Sequence, residues 1–280
     1  ENNLSVMPPM DILVIDEAHH ARAESYMRVI ERVKQANSGV KLLGMTATPN
    51  RGDKKGLRPV FSNVSDQITV RELIASGHLV PPRTFVMDVG VQDDLRQVKK
   101  TASDFDMGAV SAIMNTRPIN DAVVKHWHEK AGDRKTVVFC STIEHAEAVA
   151  GSFNAAGIPT VFVHGQMSDA ERNAVLSEYT DGEAQVIVNV AVLTEGWDHP
   201  PTSCVVLLRP SSYKSTMIQM IGRGLRVVDP TEHPGVVKTD CIVLDFGTAS
   251  LKHGSLEQEV DLDGHEADGE APMKECPSCL

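Results

Sequence analysis

Short apolar runs alternate along this chain with stretches in which apolar residues recur every three or four positions. The runs Ile12–Ile15, Lys41–Met45, Thr136–Phe139, Thr160–Val163, Gln185–Val190, Cys204–Leu208 and Cys241–Leu244 are brief and mostly β-branched, which reads as buried strands. Tyr26, Val29, Ile30 and Val33 fall at i, i+3, i+4 and i+7, as do Ala146, Val149, Ala150 and Phe153. Each set gives a helix one apolar stripe to lay on a sheet. Ser141 with Glu144 and Ser168 with Glu171 have capping-box spacing and mark helix starts. Strand and helix alternating in this way predict an α/β fold with parallel sheets.

The alternation lapses between about Asp88 and Pro118, where Gln92, Asp93, Asp94, Lys99, Lys100 and Ser103 crowd a polar stretch. An interdomain connection is expected there. The organisation that follows is residues 1–88 as part of a first domain, 89–118 as a connection, 119–249 as a second domain, and 250–280 as an acidic linker with a closing Cys-x-x-Cys. Residues 1–88 hold only two clear strands, too few for a closed layer, so they read as the C-terminal half of a domain whose N-terminal half lies upstream.

A chain of 280 residues with 41% hydrophobic content can bury one large core or two ordinary ones. Its apolar runs are far too short to cross a bilayer and no charged-then-apolar leader opens it, so a cytoplasmic protein without a membrane partner is expected. Cys140, Cys204 and Cys241 sit in strand-like runs, which suits buried thiols in a reducing compartment. The net charge of −11 runs against the basic footprint common in nucleic-acid binders. Its distribution weakens the objection, because residues 250–280 carry eight acidic residues against Lys252 and Lys274, leaving −5 for the body. A protein that grips a strand inside a cleft needs local donors rather than a basic exterior.

The first chemistry lies in Ile12-Leu13-Val14-Ile15-Asp16-Glu17-Ala18-His19. A buried strand ending in two carboxylates places them at the carboxyl edge of a parallel sheet, where open α/β folds bind ligands. Asp16 is expected to hold Mg²⁺, with Glu17 orienting or deprotonating an attacking water. The alternative is a strand running into an ordinary acidic turn. After the run Lys41–Met45, Thr46 and Thr48 offer two hydroxyls that can reach the carboxylate pair. Ser141 and Thr142 stand where a helix begins, and helix N-termini bind phosphate oxygens, although capping alone explains them equally well. Arg223 and Arg226, three apart in Gln219-Met220-Ile221-Gly222-Arg223-Gly224-Leu225-Arg226, are placed on one helical face. Guanidinium forks suit the spread charge of a transferring phosphoryl group. Cys276 and Cys279 have the spacing of half a zinc site, where tetrahedral Zn²⁺ wants four ligands.

Asp16-Glu17-Ala18-His19 resembles the DEAH form of the Walker B motif of superfamily 2 helicases. The order of the other segments agrees. Thr46-Ala47-Thr48-Pro49 resembles that family's third motif, and Thr136–Thr142 and His164-Gly165 resemble segments that touch the nucleic-acid backbone. Val190–Asp198 resembles the fifth motif and Gln219–Arg226 the sixth. The resemblance implies two RecA-like domains, the first incomplete, and a helicase or translocase that hydrolyses ATP with Mg²⁺ on nucleic acid, DNA before RNA. By it, His19 links the nucleotide site to neighbouring motifs. Thr194 contacts a phosphate of the bound strand, Gly196 permits close approach, and Asp198 reaches the ATP side. Gln219 senses the nucleotide, while Arg223 and Arg226 act on its phosphates. Trp197 is expected to be a packing residue.

Leu73–Pro82, Val188–Thr194 and the closing Cys-Pro-x-Cys look most like bacterial and phage RadD-type DNA repair helicases. A restriction motor subunit, an RNA helicase and a non-catalytic nucleic-acid-binding chain are the alternatives. One departure stands out: no Gly-x-x-x-x-Gly-Lys-Ser/Thr loop occurs in the 280 residues. That loop supplies the amides and lysine that hold the β and γ phosphates, so the sequence is expected to be truncated upstream and inactive by itself in ATP hydrolysis.

Overall fold

The computed structural model describes residues 4–50, 56–101, 104–257 and 260–263. It divides into two compact units, the first running to Thr69 and taking the chain back from Glu257, the second spanning Val70–Leu256.

In the first unit, β1 (Ile12–Ile15) and β2 (Lys41–Gly44) pair in parallel, with Ile15 opposite Gly44. Helix α1 (Glu24–Ala36) crosses between them and buries Ile30 and Val33. Ile30 meets Ile15 and Ala18, with Leu13, Leu42, Val60 and Phe61 packed around them. On the other face of the two strands Ile12, Val14, Leu43 and Met45 are exposed among the described residues.

The second unit is a six-stranded sheet in the order β3-β8-β7-β4-β6-β5, every neighbour parallel. Its strands are β3 (Pro82–Val86), β4 (Thr136–Phe139), β5 (Thr160–His164), β6 (Val186–Val190), β7 (Cys204–Leu207) and β8 (Cys241–Asp245). Strands β4, β7 and β8 are buried at every residue, as a sheet covered on both faces requires. Successive residues point to opposite sides, so Val138, Val206 and Leu244 enter one core, and Val137, Phe139, Val205 and Val243 enter the other. Helices α2 (Val70–Ala75), α3 (Gln92–Gln97) and α4 (Met107–Met114) precede β4, and the first core is closed by α5 (Arg117–Lys130) and α6 (Ile143–Ala155), through Val123, Trp127, Val149 and Phe153. The second is closed by α7 (Asp169–Thr180) and α8 (Lys214–Gly222), through Tyr179, Met217, Met220 and Ile221.

Several expectations shift. The stretch 89–118 is not a structureless connection, because it holds helices at Gln92–Gln97 and Met107–Met114. Leu95, Phe105, Val110 and Met114 bury themselves in the first core. The polar residues outnumber these anchors, which hid their period. Pro82–Val86, within the expected first domain, is a strand paired with Cys241–Asp245, so the division falls at Thr69/Val70 rather than at 88/89. Ser168 and Glu171 form the expected capping box. At α6 the cap is Thr142, whose hydroxyl accepts from the His145 amide, and Ser141 stands one residue outside. Within the stretch expected to be an acidic linker, Ala249–His253 forms a short helix and Leu262 is buried. Cys276 and Cys279 lie outside the described residues.

Candidate nucleotide and nucleic-acid sites

In the first unit the carboxylate turn is stitched to the end of β2. The Met45 amide donates to the Ile15 carbonyl at 2.9 Å, and the Ala18 amide donates to the Met45 carbonyl at 2.9 Å. Glu17 takes a left-handed conformation, φ 47°, and its amide donates to Asp16 Oδ1 at 2.9 Å. An aspartate that accepts from the next amide favours such a turn. The two carboxylates are therefore presented beyond the strand edge, with Asp16 exposed and Glu17 partly so. Oxygen donors so placed fit a hydrated divalent cation.

His19 is the hinge of this group. Its Nδ1 lies 3.0 Å from Thr46 Oγ1 and 3.3 Å from Glu17 Oε2. Thr46 Oγ1 in turn accepts from the Thr48 amide at 3.1 Å, and Thr48 is fully buried. One imidazole thus connects a carboxylate of the β1 edge to the threonine turn of the β2 edge. The His20 ring lies against His19, tilted by 44° with centroids 4.0 Å apart. Asp16, Glu17, His19, Thr46 and Thr48, expected as neighbours, stand together in these contacts.

In the second unit the loop after β6 runs into left-handed backbone twice, at Ala191 (φ 59°) and Gly196 (φ 69°). The glycine suits this conformation and the alanine does not, so Ala191 is held by its surroundings. The buried Asn189 supplies that hold, donating to the Val138 carbonyl at 2.9 Å and accepting from the Leu193 amide at 3.3 Å. The loop then meets the segment after α8. Gln219 Nε2 donates to Glu195 Oε1 at 3.0 Å, Arg223 Nη1 donates to the Trp197 carbonyl at 2.6 Å, and Arg226 pairs with Asp198. Helix α8 ends at Gly222, so Arg223 and Arg226 do not share a helical face as expected. They converge because residues 197–198 receive both of them. Thr194 is half-buried in the same loop.

Residues 197–202 are pinned from a second side, by groups that carry no sequence signal. Lys238 Nζ donates to the Pro200 and Thr202 carbonyls at 2.7 and 2.6 Å, and burial pulls its pKa down to about 8. The His199 ring lies parallel to Trp197 at 5.9 Å and 2.9 Å from Thr202 Oγ1, and burial lowers its pKa to about 4. Tyr179 completes the cluster, its hydroxyl 2.8 Å from Thr202 Oγ1. Trp197 therefore packs, as expected of it. No periodicity signals Lys238, whose partners lie far back in the sequence, or His199, whose near neighbours Trp197 and Thr202 sit in irregular backbone.

The remaining candidates stand at other edges of this sheet. Ser141 is buried with Oγ 3.1 Å from His145 Nδ1, and Thr142 Oγ1 lies 2.9 Å from Ser111 Oγ. Both hydroxyls are committed to internal bonds. His145, fully buried with its pKa lowered to about 4 by that burial, had no signal in the sequence. His164 closes β5 and stacks on Phe162 at 5.8 Å, and Gly165 beside it is exposed.

The chain thus presents a carboxylate turn beside a parallel strand pair in one unit and an arginine segment beside a parallel sheet in the other, and comparisons with known proteins point to the helicases. Residues 119–228 match the family model "Helicase conserved C-terminal domain", and residues 5–51 match "Type III restriction enzyme, res subunit". The chain is 32% identical over 246 residues to the "Putative ATP-dependent helicase IRC3" of Saccharomyces cerevisiae, covering 86% of this chain and 34% of that protein. It is 32% identical over 256 residues to the "Putative mitochondrial ATP-dependent helicase irc3" of Schizosaccharomyces pombe, covering 90% and 40%. In fold it resembles the fragment structure of "a putative HsdR subunit of a type I restriction enzyme" from Vibrio vulnificus, with TM-score 0.67, 24% identity and coverage of 94% and 48%. These matches support a superfamily 2 helicase, and the chain spans between about a third and a half of the length of these proteins.

Proposed function

We propose that this chain is the core of an ATP-driven superfamily 2 motor that moves on nucleic acid, DNA in the first place, in repair or recombination. The observation that carries the reading is the bond from His19 Nδ1 to Thr46 Oγ1 at 3.0 Å, with Glu17 beside it. A motor needs the group that handles the attacking water to be tied to the element that senses the bound strand, and this imidazole makes that tie. In this reading Asp16 and Glu17 hold Mg²⁺ and the water for phosphoryl transfer, and Arg223, Arg226, Gln219 and Asp198 serve the triphosphate from the second unit. Thr194, Gly196, His164 and Gly165 are assigned to the nucleic-acid backbone, and the segment of Ser141 and Thr142 would meet it through main-chain groups, since both hydroxyls are bonded internally. The resemblance to RadD-type helicases favours repair, and a cytoplasmic site of action follows from the same reading.

A second reading is favoured by the restriction-subunit match over residues 5–51. A restriction motor translocates duplex DNA, whereas a repair helicase opens it. The whole protein should hydrolyse ATP when given single-stranded DNA, duplex DNA or RNA in parallel assays, and the stimulating strand distinguishes the readings. Glu17→Gln and Arg226→Ala should each abolish stimulated turnover. Turnover intact in both variants overturns the assignment. By itself the 280-residue chain has no Gly-x-x-x-x-Gly-Lys-Ser/Thr loop to hold the phosphates, and we propose that it does not turn over ATP at a useful rate.

A further inference from the structure

Past the second unit the chain rejoins the first, where residues 260–263 meet Asn50, residues 56–58 and Gln67. The Asp261 amide donates to Asn50 Oδ1 at 2.8 Å, and Asn50 directly follows Thr46-Ala47-Thr48-Pro49. The Arg58 amide donates to the Leu262 carbonyl at 2.9 Å. The Arg58 side chain forks onto Asp263, Nε to Oδ1 at 3.0 Å and Nη2 to Oδ2 at 3.1 Å. Backbone meets backbone so closely that a Cβ on Gly56 would collide with the Leu262 carbonyl oxygen and lie 2.5 Å from the Asp263 carbonyl carbon. Leu262 is 8% exposed, an apolar anchor in an otherwise acidic run.

The strip that receives this segment also supports the carboxylate turn. The Val60 and Phe61 amides donate to the Leu57 carbonyl at 2.9 and 3.0 Å, forming a turn one residue beyond Gly56. That turn directs Val60 and Phe61 into the small core of Ile15, Ala18 and Ile30. Contact there is close, since a Cβ on Gly44 would lie 2.5 Å from Phe61 Cζ and 2.8 Å from Ala18 Cβ. Ala18 is the residue between Glu17 and His19. A chain of contacts therefore leads from the Leu262 carbonyl through residues 56–58 and the Leu57 turn to Phe61, and by packing from Phe61 to Ala18.

We propose that residues 260–263 are a strap that positions the carboxylate turn, with Leu262 as its anchor and Arg58 as its latch. The Arg58–Asp263 pair is about half exposed on each side, so solvent screens it and it contributes little. The anchor therefore matters more than the latch. Leu262 is a positioning residue, since it acts on Glu17 only through Phe61 and Ala18. Its importance for turnover rests on the motor reading, but the positioning itself does not.

Amide hydrogen exchange on the 280-residue chain tests the strap without ATP, so a failure of the motor reading leaves its outcome unaffected. Three amides report: Arg58 (donor to Leu262), Ala18 (donor to Met45) and, as control, Cys140 (donor to Asn189). Leu262→Asp should speed exchange at Arg58 and at Ala18 by on the order of tenfold or more and leave Cys140 unchanged. Leu262→Met should restore both. Arg58→Glu should have a smaller effect, relieved by adding Asp263→Arg. Faster exchange at Arg58 with Ala18 unchanged overturns the positioning, and no change at either overturns the docking. Should Leu262→Asp unfold the first unit, seen as uniform exchange through α1, Leu262→Ala decides by the same outcomes.

Discussion

Arg223 donates from Nη1 to the carbonyl oxygen of Trp197 at 2.6 Å, and three residues further on Arg226 pairs with Asp198. Adjacent residues of one loop thus receive both arginines. Side-chain exposures of 41% and 54% make the Arg226–Asp198 pair a surface pair, worth no more than about 1 kcal/mol. Asp198→Asn in the 280-residue chain should accordingly shift the thermal midpoint by less than about 4 °C. In the whole protein Arg226→Ala should lower kcat by roughly a thousandfold or more, and Arg226→Lys should do little better, because a lysine lacks the planar fork. A fall in the thermal midpoint of Arg226→Ala large enough to explain the lost turnover would make the residue structural.

The two glycines beside Arg223 should respond in opposite ways to the same change. An added Cβ on Gly222, the last residue of α8, meets nothing within 4 Å, whereas one on Gly224 would strike Cys241 Sγ and lie 2.6 Å from Val205 Cγ2. Gly222→Ala should stabilise the chain by about 0.5–1 kcal/mol, the ordinary gain of alanine over glycine in a helix. Gly224→Ala should cost about 1–3 kcal/mol through overpacking against β7 and β8. Denaturant midpoints of the two variants check this, and a loss of stability in both would mean the close approach at Gly224 is not what sets it apart.

Three histidines of the second unit should make its stability fall in mild acid. Burial lowers His145, His199 and His253 from the usual 6.5 to about 4 in the folded chain. Between those values the unfolded chain binds more protons than the folded one, so stability is full above about 6.5 and is lost as pH drops toward 4. For His145, the most deeply buried, the loss is of the order of 3 kcal/mol. Asp245 works the other way, since burial raises its carboxyl, so protonation of Asp245 favours the folded state at the acid end. Urea unfolding at pH 7, 5.5 and 4.5 should show falling midpoints, and His145→Gln, neutral throughout, should flatten the decline. A slope unchanged by that substitution removes His145 from the account.

What the sequence made legible was the set of interactions local to one strand or helix. The runs 12–15, 136–139 and 204–207 are covered by enough consecutive apolar residues to read without a partner. Pro82–Val86 was not, because an edge strand that opens on proline and carries Arg83 borrows its identity from pairing with Cys241–Asp245, far along the chain. The DEAH-like turn was legible since its residues are adjacent, and its neighbour Thr46 followed at the end of the next strand. The arginines were placed on a helix that stops short of them, because the tight seat of Gly224 against β7 and β8 belongs to tertiary packing. Leu262 sits in the short alternation Val260-Asp261-Leu262-Asp263, too brief and too acidic to announce a buried seat.

Asp104, in the stretch that reads as a connection, should prove a strong tertiary tie. Its carboxylate pairs with Arg209 and accepts from the Ser212 amide at 2.8 Å, with side-chain exposures of only 16% and 12% for Asp104 and Arg209. Lys252 Nζ braces the same loop, donating to the Ser211 and Ser212 carbonyls at 3.2 Å and lying 4.7 Å from the centre of the Phe105 ring. Removing one member of such a pair strands the other charge, so Asp104→Leu should cost about 3–5 kcal/mol. Replacing both, as Asp104→Leu with Arg209→Met, should recover a good part of that loss, because no buried charge is left uncompensated. Unfolding free energies of the two single variants and the double variant form a cycle whose coupling should exceed about 1 kcal/mol. Additive losses would mean that the tie is no stronger than a surface pair, and that residues 104–106 are held by Phe105 and by the main-chain and capping bonds of Asp104 and Asp106.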